Sequence, residues 1–291
     1  SVVGGLTGGG GSTEVVVGSK QFTEQKVLGY VTLLALQENT DLSVTDQVGL
    51  GGTTTNFEAL KSGQIDTYWE YTGTSWLTLP PQHSEVITDP EEIYNRVDEE
   101  FNAEHNIDLL NRAPLNNTYV LVVNSEWQSE TGIETLSGLA EYVKNGNTDM
   151  TVVMGAEFQE REDGWPGLTS AYGMSEAASD LTIQNVGAGL TYQVVGNGEA
   201  QIGMGFNTNP KILKFDLGTL EDDQGFFPVY NPAPMVRNEV LSEDGPIRNA
   251  LNPIGETLTN ESIRALNRRV SIDGEDARAV ARDHLSSNGL I

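Results

Sequence analysis

Short runs of β-branched residues closed by glycine alternate along this chain with stretches whose apolar residues recur every three or four positions. "EVVVGSK" (14–20) is the first such run, continuous and apolar, as a buried strand requires. It leads into "FTEQKVLGYVTLLALQEN", where Val27, Leu28, Val31, Leu34 and Ala35 fall at helical spacing. "LSVTDQVGL" then predicts a strand, "TTNFEALKSG" a helix ended by Gly63, and "QIDTYWEY" a third strand. This order is the opening of an α/β domain.

The pattern recurs. "TVVMGAEFQERE" (151–162) repeats the shape of "EVVVGSKQFTEQ" (14–25), a strand, a glycine and a helix start with Phe and acids. "YQVVGNGEAQIGMGFNT" (192–208) parallels "FEALKSGQIDTYWEYTG" (57–73); placing Gly198 on Gly63 sets Phe206 on Tyr71 without a gap. Two matches in one order predict two similar lobes, chance likeness between two α/β units being the alternative. "NNTYVLVVNSE" (116–126) and "FFPVYNPAPMVRNE" (226–239) also resemble each other and flank the second set of units, as two crossing segments would. The expected division is lobe I over 14–115 plus 226–291 and lobe II over 116–225, with a ligand cleft between them. Residues 1–13, glycine-rich and without core pattern, predict a flexible tether. In the tail, "NESIRALNRRV" predicts a helix capped by Asn260, and "EDARAVARDHL" an amphipathic helix.

Charge narrows the functional classes. Sixteen Lys and Arg stand against 42 Asp and Glu, a formal net charge of −26. That opposes a nucleic-acid partner, which needs a positive footprint. Only six of the basic residues are lysines, and an acidic, lysine-poor surface resembles proteins of salt-loving organisms. The absence of cysteine rules out disulfides, thiol catalysis and thiolate metal sites. His83, His105 and His284 lie far apart without ligand spacing and are expected at the surface, so neither a metal nor a cofactor is expected. No apolar run has the length of a membrane helix.

Against this sparse chemistry the aromatics stand out. Tyr71 ends a strand of lobe I, Phe206 ends its counterpart in lobe II, and Tyr119 and Tyr230 lie at the crossings. Ligands of open α/β sheets bind beyond the carboxyl ends of strands, so these four converge on one cleft if the chain is bilobed. Aromatic faces attract cations, quaternary ammonium above all, by about 0.5–2 kcal/mol per ring. A ligand carboxylate would need donors, and Lys20, Thr74 and Arg161 are the candidates; a surface ion pair is the competing reading for both cations. Tyr68, Trp69 and Trp76 read as packing, and Glu70, alternating with Tyr71, is expected to face away from the cage.

"VVVGSKQFTEQKVLG", "GLGGTTTNFEALKSGQIDTYWEYTGT", "NNTYVLVVN", "REDGWP" and "EDDQGFFPVY" resemble the glycine betaine/choline/carnitine-binding proteins of osmoprotectant ABC transporters. The resemblance runs from about residue 14 to the C-terminus. It implies a type II periplasmic-binding-protein-like fold of two lobes, each a mixed sheet flanked by helices, closing by hinge motion. It also implies a cage of Tyr71, Tyr119, Phe206 and Tyr230 for the trimethylammonium group, with Lys20, Thr74 and Arg161 at the carboxylate. The family usually has Tyr at the Phe206 position, so a hydroxyl is lost there. The implied setting is extracytoplasmic, at the cell surface or secreted, as a monomer with a lipid anchor in the precursor and an ABC permease as partner.

Two alternatives remain at this level. A binding protein of the same fold could take an amino acid or another small cation, choline alone or a polyamine, and Glu70 lining the cleft would favour the polyamine. An enzyme on this fold lacks support: the sequence holds no G-x-S-x-G, phosphate loop or metal-ligand cluster.

Overall fold

Val15 and Val17 carry no polar group and pack into one core cluster while the half-buried Val16 packs against another on the opposite face, so Glu14–Lys20 becomes a strand with apolar packing on both faces, β1. The structure is a computed structural model that describes residues 14–187, 189–242 and 245–291; the tether expected over 1–13 lies outside the described residues. Beyond β1 the strands are β2 (Ser43–Gly51), β3 (Thr67–Tyr71), β4 (Ile107–Leu109), β5 (Tyr119–Val123), β6 (Thr151–Met154), β7 (Thr182–Asn185), β8 (Ile202–Phe206), β9 (Gly218–Leu220) and β10 (Pro232–Arg237). The first helices are α1 (Thr23–Asn39), α2 (Thr53–Ser62) and α3 (Thr72–Thr78).

The strands form two five-stranded sheets, ordered β2-β1-β3-β10-β4 and β7-β6-β8-β5-β9. In each, the first three strands run parallel, and the strand entered from a crossing segment, β10 or β5, is antiparallel to both of its neighbours. The two sheets therefore share one topology, with β1 matching β6 and β3 matching β8. The glycines that set the sequence register also match: Gly63 and Gly198 both follow a helix with φ of 80° and 77°, a left-handed conformation that favours glycine. Tyr71 and Phe206 are thus the last residues of equivalent strands.

The chain passes from the first sheet to the second before β5 and returns before β10. These two passages lie side by side: Asn117 N–H donates to the Tyr230 carbonyl at 3.1 Å, Tyr230 N–H to Asn116 Oδ1 at 2.8 Å, and Asn231 Nδ2 to the Leu115 carbonyl at 2.8 Å. Lobe I has its own core, in which Leu28, Val31 and Leu34 of α1 pack with Ile263, Leu266, Val280 and Leu285 of the two C-terminal helices. A second core, around Leu121, Val152, Ile202 and Trp165, fills lobe II.

Two local expectations are corrected. The helix Asn260–Ser271 is capped by Thr259, whose hydroxyl accepts from Ser262 N–H in a capping box; Asn260 is its first residue and instead holds Asn116 N–H at 2.8 Å. His284 is not a surface histidine. It is buried beside the Thr257 hydroxyl at 2.8 Å, and burial depresses its pKa. No helix of the described residues is long and apolar enough to cross a membrane, and they hold no group of side chains that could ligate a metal.

Candidate ligand-binding cleft

Parallel strands present their carboxyl ends, with helix N-termini, to the space between the lobes. In lobe II, antiparallel pairing of β5 with β8 sets Tyr119 opposite Phe206, and their rings stack at 4.8 Å between centroids. Phe158 and Phe227 back Tyr119 at 5.1 and 5.9 Å. Phe206 stays 38% exposed, unusual for a phenylalanine ending a buried strand. Tyr230, on the returning passage, is close to Tyr119 and to the Arg161–Asp163 pair; burial first, then Asp163, raises its pKa. It also covers Gly73 of α3, where a Cβ would come within 2.6 Å of its ring, so only glycine allows this approach.

Tyr71 is held differently. It is buried, its hydroxyl donates to Glu24 at 2.5 Å, and its ring stacks on Phe22 at 6.3 Å. The ammonium of Lys20 lies 5.3 Å from the same ring centroid, a cation–π placement. Tyr119, Phe206 and Tyr230 therefore gather on the lobe II side and the hinge, whereas Tyr71 packs in lobe I with Phe22 as its ring partner.

Of the polar candidates, Lys20 is the last residue of β1 and is buried, with Nζ 2.5 Å from Glu70 Oε1. Glu70 is fully engaged: it also accepts from Tyr68 at 2.8 Å and from Tyr71 N–H at 3.0 Å. Arg161 closes the short helix Ala156–Glu160 and pairs with Asp163 through Nε and Nη2 at 2.7 and 2.5 Å. With 53% of its side chain exposed, this ion pair is accessible to exchange. Hydrogen bonding to Asp163 raises the Arg161 pKa, and its charge reaches the Tyr119 and Tyr230 hydroxyls. Thr74 sits half-buried in the first turn of α3, next to Gly73 and its Tyr230 contact.

Glu24 is the residue that sequence reasoning missed. An acid in the first turn of a helix reads as a favourable interaction with the helix dipole and no more. Here it is buried and joins four parts of the molecule: Tyr71 OH at 2.5 Å, Asn117 Nδ2 at 3.1 Å, Asn267 Nδ2 at 3.2 Å, and the Thr208 hydroxyl just beyond Phe206. Burial raises its pKa against the pull of those hydrogen bonds. Nearby, Arg264 of the helix Asn260–Ser271, which also carries Asn267, clasps both the backbone and the side-chain oxygen of Asn207. Strand end, hinge and that helix meet at this junction. Nothing at these sequence positions marks that meeting, because the partners lie dozens to hundreds of residues apart.

Residues 13–287 match the family described as the substrate binding domain of ABC-type glycine betaine transport systems. A glycine-betaine-binding protein of Pseudomonas aeruginosa is 33% identical over 281 residues, covering 94% of this chain and 88% of that protein. CosB, a substrate-binding protein of a chemotactic signal transduction system in Halobacterium salinarum, is 32% identical over 286 residues, covering 95% and 84%. The apo structure of YehZ from Escherichia coli superposes with a TM-score of 0.87 at 29% identity, covering 96% of this chain and 99% of that one.

Proposed function

Because the chain belongs to the family of substrate-binding domains of ABC-type glycine betaine transport systems, we propose that it captures glycine betaine or a related quaternary-ammonium osmoprotectant in the cleft and delivers it to an ABC permease. It is a binding protein of an importer, not an enzyme, and works outside the cytoplasm. The proposed cage is Tyr71, Tyr119, Phe206 and Tyr230, with Lys20, Thr74 and Arg161 serving the ligand's carboxylate. The observation that carries this reading is the stacked Tyr119–Phe206 pair at 4.8 Å, left accessible beside Tyr230 and the exposed Arg161. A trimethylammonium group cannot donate hydrogen bonds, so aromatic faces compensate its desolvation better than carboxylates do.

The polyamine alternative loses ground on the acids. Glu70 is consumed by Lys20, Tyr68 and Tyr71, and Glu24 by its four donors. Closure follows from the two adjacent passages between lobes, which can act as a hinge, with Arg161 exchanging Asp163 for the ligand's carboxylate. The proposal extends to a monomer held at the membrane by a lipid anchor, a role the glycine-rich residues 1–13 suit as spacer.

Titration calorimetry with glycine betaine, choline, carnitine and proline betaine, over a range of salt, tests this function. Binding of at least one ligand is expected, weakened about 10- to 30-fold by Tyr119→Ala and far less by Trp76→Ala. Silence across the panel would sink the proposal, and equal losses in the two variants would mean the cage is wrongly assigned.

A further inference from the structure

Packing alone does not fix the Phe206 ring. It is 38% exposed, with Tyr119 stacked against it, so its direction follows from its backbone and rotamer. That backbone is held from several sides. Phe206 N–H donates to the Tyr192 hydroxyl at 2.7 Å, and Asn207 N–H to the Thr118 carbonyl at 2.9 Å. A further hold comes from the other lobe: Arg264 donates through Nε to the Asn207 carbonyl and through Nη2 to Asn207 Oδ1 at 2.5 Å. Ile263 and Leu266 of the same helix are buried in the core of lobe I, and Thr259 caps it, so Arg264 is anchored there.

The partner that Arg264 takes is unusual for this acidic chain. Arg96, Arg237 and Arg269 each pair with two carboxylates. Arg264 pairs with none among the described residues, although it is half-buried and Glu261 stands three positions earlier on its helix. Burial of a cation on neutral acceptors costs stability. What it gives here is geometry: two N–H groups on one edge of a planar fork fix the place and the tilt of Asn207 together, which a single-point donor cannot.

We propose that Arg264 is a positioning residue of the cage: from lobe I, its fork on Asn207 sets the face of Phe206 in lobe II toward the ligand's cation. Arg264 acts through Asn207 and not by touching the ligand, whose charge it would repel. This rests on the cage reading above and adds to it what holds the wall that packing leaves open. The two influences of Arg264 have opposite signs. By charge alone, removing the guanidinium strengthens binding of a cation. By position, removing it weakens that binding, because a cation–π contact needs the ring face, whereas burial of an apolar group has no direction.

Titration calorimetry tests this with glycine betaine and 3,3-dimethylbutanoate, in which tert-butyl replaces the trimethylammonium group. Arg264→Lys keeps the charge without the fork, Arg264→Gln removes both, and Asn207→Ala keeps the guanidinium without its side-chain acceptor. The two Arg264 variants should lower the preference for glycine betaine over 3,3-dimethylbutanoate by about three- to tenfold, and Asn207→Ala by about threefold. The double variant Arg264→Lys/Asn207→Ala should lose no more than the larger single loss, because both changes remove one contact. Asn207→Ala, made from the lobe II side, keeps the expectation testable should the Arg264 variants not fold. Equal weakening of both ligands would make Arg264 a structural residue and overturn the proposal, as would tighter binding of glycine betaine by Arg264→Gln. A native protein that binds both ligands equally, or neither, would instead overturn the cage on which the proposal rests.

Discussion

Arg161 and Lys20 carry the same charge and were both legible as donors for a carboxylate, yet their surroundings differ in kind. Lys20 is sealed with Glu70, 50 residues away in sequence, and no local pattern announces that partner. Removing one member of a buried pair leaves the other desolvated and unpaired, so Lys20→Ala should destabilise the fold by about 3–5 kcal/mol in urea titrations. Arg161 meets Asp163 in solvent, where a pair contributes little to stability. Its loss should leave the urea midpoint within error and weaken glycine betaine about fivefold or more, while choline, without a carboxylate, changes far less. A uniform loss for both ligands would assign Arg161 a structural part. The aromatics divide similarly: Tyr119 and Phe206 stay accessible, whereas Tyr71 is covered by Phe22. Spacing could name these rings but could not tell a covered face from an open one.

At the scale of elements, periodicity was a good guide because hydrophobic spacing decides strand or helix before tertiary contacts do. The apolar run at 14–20, the helix after it, and the Gly63–Gly198 register correspond to β1, α1 and the matched ends of β3 and β8. Side-chain junctions between elements were not legible, and Glu24 is the main case. Its carboxyl, raised by burial above an ordinary 4.5, keeps its proton more readily in the folded state than in the unfolded chain. Its contribution to stability is therefore full below pH 4.5 and is lost as pH rises through the raised value. Glu24→Gln cannot ionise, so its urea midpoint relative to the native protein should improve as pH rises above 4.5 and level off once the pH passes the raised value. A difference that stays flat across that range would show that Glu24 has the same pKa folded and unfolded.

For the whole molecule, repeat and composition each foretold something different. The repeat corresponds to two sheets of one topology, joined by two adjacent passages, which is the architecture a closing cleft needs. Composition spoke instead to the surroundings. A formal charge of −26 on a chain with 16 basic residues stores self-repulsion that salt relieves, as the screening length falls from about 10 Å at 0.1 M to about 3 Å at 1 M. The melting temperature should accordingly rise by roughly 3–8 °C between 0.1 and 1 M KCl, followed by circular dichroism; a fall would oppose a salt-rich setting. The central claim, that aromatic faces hold a cation in the cleft, is tested most directly by comparing glycine betaine with 3,3-dimethylbutanoate in one calorimeter. The second compound replaces the trimethylammonium group with tert-butyl, preserving shape and carboxylate while removing the positive charge. The account predicts that glycine betaine binds at least about 30-fold more tightly, as several cation–π contacts require. Equal affinity for the two would contradict it.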